Sequence, residues 1–407
     1  MRNKTMEIDV IGQYYTSINN GKQPGVFALS VYLKETVNPK ILQQASDDLM
    51  RRLTFVNGRL KYGFFHYKYE VLKILAKVEP DSNEPLFCDY YNKGSRHMIK
   101  IVYGQQHFTV KATHSICDGR GLSKITSALI VHYFELLGVD VDKDDIIDCK
   151  GKFKLEEAED APKRFITEPP KINRKKTPSK SEIYRIKYSK TSTQQVLSKS
   201  FDVGKIKAAA KAFDVTISQF ILSHIFRIIA KKRDAEGEKG QITGNVQIDC
   251  RNFFPSKTLR SFVVDTTIIM PQNRDFSEMT RQIKNQFNEI TKDCVQGKLY
   301  EYQKMYQGAR YIPRVIKTLF MKRITRLEGA RVTTGISNLG LIKLPTEIEY
   351  RIERLEFPIA IEQEFSNFFS CVTIGNTLTL TATFQEEGRG IVEEVMKTME
   401  DIERRIK

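Results

Sequence analysis

The sequence of 407 residues switches repeatedly between two hydrophobic periodicities, and this switching limits the folds it can adopt. Apolar residues three and four positions apart predict amphipathic helices at 38–53 and 121–138. Runs of alternating or aromatic residues predict a strand at 25–33, paired strands within 59–75 and a hairpin at 97–113. Strands mixed with helices in this way are typical of α/β domains.

The second half of the chain repeats this pattern. Strands are predicted at 196–202 and on both sides of a turn within 242–270, and helices at 203–213, after Thr216 and at 275–290. Further strands are predicted at 331–338, 347–356, 359–374 and 377–385, followed by a final helix at 390–406. A chain of this length usually forms more than one core. We therefore predict the α/β (α+β) fold class, with two domains of similar plan and a ligand site between them.

A basic, proline-containing stretch separates the two halves. Residues 163–190 contain ten Lys/Arg and two Glu, which is eight of the sixteen excess positive charges. Apolar periodicity is lacking between 168 and 182, so we predict a surface connection, 161–195, between an N-terminal domain (1–160) and a C-terminal domain (196–407). Steering of an anionic substrate is a further use of this charge, and an anion- or nucleic-acid-binding module without catalysis is the alternative from a different class. We favour the connection and expect no nucleic-acid partner.

The cysteine pattern and the lack of long apolar segments indicate the cellular compartment in which the protein resides. No run approaches the roughly 20 apolar residues of a membrane span, and the N-terminus lacks the apolar core of a secretory signal. The six cysteines are scattered without a C-x-x-C pair, which disfavours both a disulfide framework and a structural zinc site. We therefore expect a reduced, cytoplasmic protein with no membrane span and no metal.

The segment HSICDG (114–119) is the strongest candidate for chemistry. The predicted strand ends at Thr113 and the helix begins near Gly121, which leaves a turn of about seven residues headed by His114. We expect Gly119 and Gly121 to adopt backbone angles that a Cβ would forbid, so that the chain turns sharply and exposes the imidazole. An imidazole titrates near neutrality, so it is suited to take and return a proton.

Cys117 and the other five histidines allow further assignments. Cys117 is a rival nucleophile with His114 as its base, although a buried small residue facing the next helix is favoured. The remaining histidines have no Asp-Gly turn beside them and are assigned structural or surface roles: His66, His97, His107, His132 and His224.

The order H-x-x-x-D-G resembles the motif of the CoA-dependent acyltransferase superfamily. That superfamily includes alcohol acetyltransferases, plant BAHD acyltransferases, polyketide-associated acyltransferases and the condensation domains of nonribosomal peptide synthesis. Three more stretches resemble these proteins in the same order: VNPKILQQASDDLMRRLTFVNGRL, VQIDCRNFFPSKTLRSFV and GISNLG (335–340). The chain is most similar to a stand-alone bacterial-type alcohol acetyltransferase. The resemblance implies two chloramphenicol-acetyltransferase-like domains with mixed sheets and an active-site tunnel between them.

The resemblance also implies roles for single residues. His114 would be the general base that removes a proton from an acceptor hydroxyl or amine. Asp118 would turn away from substrate and pair with Arg251 of the second domain, which fixes the loop. Gly119 would leave room for the acyl donor.

Ser337 and Asn338 would lie across the tunnel, where Ser337 binds substrate and Asn338 donates to the developing oxyanion. At two places the sequence departs from the motifs of particular subfamilies, and each departure disfavours one of them. Thr113 stands where many condensation domains have a second histidine, which disfavours an amide-forming synthetase. The D-F-G-W-G motif of plant BAHD enzymes is absent, since the chain has no Trp.

The activity that the resemblance implies is transfer of an acyl group, acetyl in the first instance, from acyl-CoA to an alcohol or amine by direct general-base catalysis. Acyl-CoA would be a co-substrate, with no cofactor. The expected partners are acyl-CoA and a small-molecule acceptor. The alternative is a free-standing condensation enzyme that takes its thioester from an acyl carrier protein.

Overall fold

The structure is a computed structural model that describes residues 5–18, 25–81, 97–143, 146–170, 178–186, 193–272, 275–361 and 366–406. In chain order its strands are β1 (Thr5–Glu7), β2 (Val26–Leu33), β3 (Gly58–Tyr62), β4 (Tyr67–Val71), β5 (Glu79–Pro80), β6 (Ile99–Tyr103), β7 (His107–Thr113), β8 (Gln195–Asp202), β9 (Thr243–Asp249), β10 (Val263–Ile269), β11 (Thr334–Leu341), β12 (Ile352–Glu356), β13 (Asn367–Ile374) and β14 (Thr377–Phe384). Its helices are α1 (Val10–Ile18), α2 (Pro39–Arg52), α3 (Gly119–Leu136), α4 (Ala161–Phe165), α5 (Val203–Lys211), α6 (Ile217–Ala235), α7 (Phe276–Asn288), α8 (Lys292–Gly308), α9 (Arg314–Gly329), α10 (Thr346–Glu349) and α11 (Arg389–Arg405).

The first sheet has five strands in the order β12-β2-β7-β6-β5. Neighbouring strands are antiparallel except for β5 and β6, which run parallel, so the sheet is mixed. Helices α2 and α3 share a core with this sheet. Helix α2 begins as the sequence predicts: the side chain of Asn38 accepts hydrogen bonds from the backbone N–H groups of Lys40 and Ile41, and Pro39 occupies the first turn. Strands β1, β4 and β3 form a small separate sheet.

The second sheet has six strands in the order β10-β9-β11-β13-β14-β8. Strand β11 runs parallel to both β9 and β13, while the other pairs are antiparallel. Helix α6 is buried against this sheet and is capped at Thr216, whose side chain accepts from the N–H of Gln219. Two mixed sheets with packed helices confirm the predicted α/β fold class.

Strand β12 comes from the second half of the chain but completes the first sheet. It pairs antiparallel with β2, so that Leu355 lies opposite Val31 and Glu356 opposite Ser30. The sequence-based division places this segment in the C-terminal domain. The structure places it in the first sheet, because Leu355 packs into the first core. Otherwise the division at 160 and 196 stays a prediction.

A third apolar cluster joins the two halves. It includes Ile11 on α1, Phe262 just before β10, Val264 on β10 and Leu299 on α8. Helices α1, α8 and α9 were not predicted from the sequence, and α1 packs against both of the others. These three helices extend the boundary at which the two halves meet.

The basic connection is exposed in its middle and anchored at its ends. Residues 167–169 and 179–182 are exposed, as expected for a charged surface segment. Ile166 is buried in the third cluster, and Tyr184 and Ile186 are buried in the second core, because these apolar side chains are excluded from water. The segments 171–177 and 187–192 of the predicted connection lie outside the described residues.

Candidate active site

A cavity of about 360 Å³ lies between the two halves of the chain. The first half contributes α1, Gly25 just before β2 and the segment after β7, and the second half contributes β9, β10, β11, α8 and α9. A cavity of this size can hold a small molecule or part of a larger one. It lies where the sequence analysis expects a site between two domains.

His114 lines this cavity directly after β7. Its backbone N–H donates to the carbonyl oxygen of Gly25 (2.9 Å), and its own carbonyl oxygen accepts from Ser261 Oγ (2.9 Å). The imidazole is stacked on the Tyr15 ring with centroids 4.3 Å apart, and it lies 4.2 Å from the Phe27 ring. Backbone hydrogen bonds and aromatic packing together fix the position of the ring.

The surroundings of His114 keep its ring neutral. Burial lowers the pKa of His114 to about 3. The buried Nδ1 atom has no hydrogen-bond partner among the described residues. The imidazole is therefore uncharged throughout the physiological pH range, which is the form that can accept a proton.

Asp118 is buried and joins the His114 segment to the second half. Its Oδ1 accepts from the N–H of Gly121 (2.8 Å) and its Oδ2 from the N–H of Phe262 (2.7 Å). Arg251 Nη1 donates to Oδ2 at 2.9 Å and Arg251 Nη2 to Oδ1 at 3.3 Å. The ion pair predicted between Asp118 and Arg251 is therefore present and links the halves beside the cavity.

Arg251 is held by further acceptors on its own side. Nη1 also donates to Asp249 Oδ1 (2.8 Å), Nε donates to the carbonyl of Thr258 (3.0 Å) and Nη2 to the carbonyl of Arg260 (2.8 Å). Although burial disfavours the charge, Asp118 and Asp249 raise the pKa of Arg251 above its ordinary value. A buried charge pair is stable only when its remaining donors are satisfied, as they are here.

The two glycines after Asp118 serve close packing and not the unusual backbone angles expected from the sequence. Neither has a positive φ, because helix α3 already begins at Gly119. A Cβ on Gly119 would lie 2.8 Å from the side chains of Leu339 and Phe357. One on Gly121 would lie 1.9 Å from the carbonyl oxygen of Leu259. The missing side chains let the second half approach the start of α3, and Gly119 lines the cavity.

Of the two residues expected across the tunnel, the structure brings one to the cavity. Ser337 lines it, whereas Asn338 is exposed and is not part of the lining. Asn338 Nδ2 donates to Ser218 Oγ (2.9 Å), and its Oδ1 accepts from the N–H of Gly340 (2.8 Å). Neighbouring positions of a strand face opposite sides, so Asn338 would have to leave both partners to reach an oxyanion beside His114.

Cys117 lies in the first core and not on the cavity wall. Burial raises the pKa of its thiol well above the ordinary value, so the nucleophilic thiolate is disfavoured. The geometry agrees with the favoured assignment as a small core residue. The other five histidines are also absent from the lining: His66, His97, His107, His132 and His224.

The sequence analysis missed a polar cluster on the second-half side of the cavity. Asp265 accepts from Asn245 Nδ2 (3.1 Å) and from the hydroxyl of Tyr302 (3.2 Å), and Lys298 Nζ lies 3.8 Å from its Oδ2. Gln247 Nε2 donates to Asn245 Oδ1 (2.7 Å). All five side chains line the cavity, and we call them the polar wall.

The polar wall carries one carboxylate among neutral and positive donors. Although burial opposes its ionisation, Lys298 and the hydrogen bonds from Asn245 and Tyr302 hold the pKa of Asp265 below its ordinary value. Burial and the nearby Asp265 raise the pKa of the Tyr302 hydroxyl, which therefore stays protonated. Hydroxyl, amine and amide groups of a ligand would find both donors and acceptors here.

Within the described parts of the chain, no group of three or more His, Cys, Asp or Glu side chains could hold a metal ion. None of the helices in the same residues is both long enough and apolar enough to span a bilayer.

The fold is shared with proteins of known structure at low sequence identity. Polyketide synthase associated protein 5 from Mycobacterium tuberculosis matches with a TM-score of 0.61 and 13% identity, over 95% of this chain and 96% of that one. The epimerization domain from the third module of tyrocidine synthetase B matches with a TM-score of 0.57 and 10% identity, over 99% of this chain and 96% of that one. The condensation domain from Monacolin K polyketide synthase matches with a TM-score of 0.59 and 11% identity, over 99% of this chain and 98% of that one.

These three likenesses span nearly the whole chain, so it has the condensation-domain fold from end to end. No family model matches the sequence, and no match is found among curated proteins.

Proposed function

We propose that the protein is an acyltransferase that moves an acyl group from acyl-CoA to an alcohol or amine, with His114 as the general base. The observation that carries this proposal is a neutral, rigidly held imidazole in a cavity lined by both halves. The condensation-domain fold supports it. The reaction would take place in the cytoplasm, where acyl-CoA is available.

The proposed mechanism is direct transfer. The neutral imidazole of His114 takes the proton of the acceptor while the acceptor oxygen or nitrogen attacks the thioester carbonyl carbon. A new C–O or C–N bond forms and the carbonyl oxygen becomes an oxyanion. The C–S bond then breaks, the carbonyl is restored, and the departing thiolate takes the proton from the imidazolium. All bonds and protons of the proposed reaction are accounted for without an enzyme nucleophile or a metal.

Burial of His114 shapes this reaction. An imidazolium is disfavoured at this position when the cavity holds no compensating charge. The oxyanion that forms beside it in the transition state supplies such a charge. The site would therefore stabilise the charged pair that exists during transfer more than the separate ground state, which is the requirement for catalysis.

The roles of the surrounding residues follow from their positions. Asp118 and Arg251 would position the segment that carries His114 without touching substrate. Gly119 and Ser337 line the cavity and would contact the acyl donor and acceptor. The oxyanion role implied for Asn338 would require its amide to leave Ser218.

A second candidate donor is a thioester bound to an acyl carrier protein. It is favoured by the shared fold with the condensation domain from Monacolin K polyketide synthase and by the net charge of +16, which would complement an acidic carrier. The chemistry at His114 would be the same for either donor.

The test is release of free thiol from acetyl-CoA in the presence of a panel of alcohols and amines, with mass spectrometry of the products. Acceptor-dependent release that is lost in His114→Ala supports the proposal. Release only from an acetylated carrier protein supports the second candidate. No release from either donor, together with steeply salt-dependent binding of RNA or duplex DNA, would overturn both and favour an anion-binding module.

A further inference from the structure

The described surface carries one large cluster of exposed apolar side chains. Sixteen large apolar residues are exposed, and ten of them lie on α9, directly before it or at the tip of the β3–β4 hairpin. The ten residues, here called the α9 surface, are Tyr62, Phe64, Phe65, Tyr311, Ile312, Val315, Ile316, Leu319, Phe320 and Leu327. Single exposed apolar residues are normal, but a contiguous group of this size marks an interaction site.

The helical part of the α9 surface is a continuous face. Ile316 lies three and four positions before Leu319 and Phe320, and Val315 lies four before Leu319, so the four residues share one side of the helix. Leu319 and Phe320 are 66% and 62% exposed. The opposite side of α9 is buried, for example at Met321. The exposed apolar face is therefore not required for packing α9 onto the rest of the protein.

Defined contacts hold the hairpin tip beside the first turn of α9. The N–H of Arg314 donates to the carbonyl of Phe64 (2.8 Å), and its Nε donates to the carbonyl of Gly63 (3.2 Å). Its guanidinium lies 5.0 Å from the ring centroid of Tyr62. The tip is thus fixed in place, and Phe64 remains 71% exposed. Helix and hairpin form one surface.

The charge around this surface is mainly positive, although Arg59 and Lys61 of the hairpin pair with Glu70. Residues 310–327 contain six Lys/Arg and no Asp or Glu, and residues 59–68 contain three Lys/Arg and no acid. On the exposed face of α9 the apolar turns are followed by Arg323 and Arg326, both exposed. A second copy of the chain would bring these like charges together, which is unfavourable. An anionic surface complements them.

We propose that the α9 surface docks the protein onto an anionic membrane, with α9 lying in the plane of the interface. Its apolar side chains would enter the region between headgroups and acyl chains, and its arginines would bind lipid phosphates. Thr325, Glu328 and Gly329 at the other end of α9 line the cavity. Because α9 would lie along the interface, docking would place the cavity beside the bilayer surface.

The test is flotation of the full chain with vesicles of phosphatidylcholine alone or mixed with phosphatidylglycerol. The parent protein should float with the anionic vesicles, and added salt should release it. Leu319→Ser combined with Phe320→Ser should bind these vesicles at least tenfold more weakly, because less apolar surface leaves water. Arg323→Gln combined with Arg326→Gln should weaken binding to anionic vesicles roughly 30-fold.

The matched control is Ile74→Ser combined with Leu155→Ser, two residues that are 78% and 83% exposed outside the α9 surface. This variant should float like the parent. The proposal is overturned if the parent floats with neither vesicle, or if the control loses binding as strongly as the α9 variants. It is also overturned by a concentration-dependent dimer without vesicles that Leu319→Ser/Phe320→Ser abolishes, since a second copy would then occupy the surface. Thiol release from soluble substrates is independent of all these outcomes.

Discussion

Two carboxylates beside the same cavity differ in how completely they are enclosed. Asp118 and Arg251 are 2.9 Å apart, with 3% and 11% of their side chains exposed. Asp265 and Lys298 are 3.8 Å apart, with 37% and 41% exposed. The first pair, which we call closed, is almost completely enclosed by the protein. The second is open to the cavity, so a ligand can replace one of its partners. We therefore expect the closed pair to hold the structure in place and the open pair to contact a ligand.

The largest effect is expected at the residue that the closed pair positions. His114→Ala should lower kcat by about 100- to 10,000-fold, the usual contribution of a general base, with little change in the KM for the donor. Thiol-release kinetics and thermal unfolding measure the two effects. His107→Ala is the control, because His107 lies on β7, the strand that leads to His114, and is not part of the cavity lining. Full activity of His114→Ala on a verified substrate would show that His114 is structural.

The closed pair should matter for stability as well as for rate. Arg251→Met should lower the free energy of unfolding by about 3–5 kcal/mol, because it leaves the buried Asp118 carboxylate without its charged partner. Asp118→Asn should cost less, because Arg251 keeps its ion pair with Asp249. Urea denaturation measures this, and the double variant should lose less than the sum of the two single losses. If each single variant is as stable as the parent, the pair does not hold the halves together.

The open pair should affect binding and not folding. Asp265→Asn should raise the KM for the acceptor roughly tenfold, since a hydrogen bond to a charged group is lost, while kcat changes little. Stability should stay near that of the parent, because the side chain is partly exposed. A large stability loss with an unchanged KM would assign Asp265 to the structural role of Asp118, and the contrast between the two carboxylates would disappear.

The pH dependence should follow the partly buried imidazole of His114. Burial lowers the pKa of His114 to about 3 in the folded protein, so kcat/KM should show no loss from His114 protonation between pH 8 and 5. The unfolded chain binds a proton at a pKa near 6.5, so stability should fall as pH drops from about 6.5 toward 3. Denaturation at pH 7 and 5 tests the sign, and His114→Ala should show the smaller pH dependence. An acid limb of activity centred near 6.5 and removed by His114→Ala would contradict this assignment.

The smallest effect is expected at Cys117. Cys117→Ala should keep most of the activity, because the thiol is buried in the core and takes no part in direct transfer. Steady-state kinetics and mass spectrometry of the enzyme after incubation with acetyl-CoA check this. An inactive Cys117 variant together with an acyl group trapped on the parent would instead show a covalent mechanism.

Features that depend on local sequence were predictable. Asn38 and Pro39 specify the start of α2, and Thr216 specifies that of α6, since capping involves residues three or four positions apart. The motif at His114 identified the catalytic candidate, and the resemblance to a family supplied Arg251 as the partner of Asp118. The prediction of unusual backbone angles at Gly119 was wrong. Its role is to let Leu339 and Phe357 approach closely, and these residues are distant in the sequence.

The polar wall and α9 show what could not be predicted. Asn245 and Gln247 alternate along β9 like the exposed face of an ordinary strand, so a polar pattern alone does not distinguish solvent from a cavity. Helix α9 mixes basic residues with apolar residues that stay exposed, which obscures the stripe that marks a core-facing helix. Both features become visible only when the two halves are placed together.

The position of β12 has a consequence for synthesis on the ribosome. Strand β2 needs β12 on one side, and Tyr32 and Glu356 are 324 residues apart in the chain. At about 5–20 residues per second, β2 would wait between roughly 16 and 65 seconds for its neighbour to emerge. During this time the first sheet offers an open edge of apolar sequence, VFALSVYL, to other nascent chains. One of the contacts that join the two halves thus also sets how long the growing chain exposes an unpaired apolar strand.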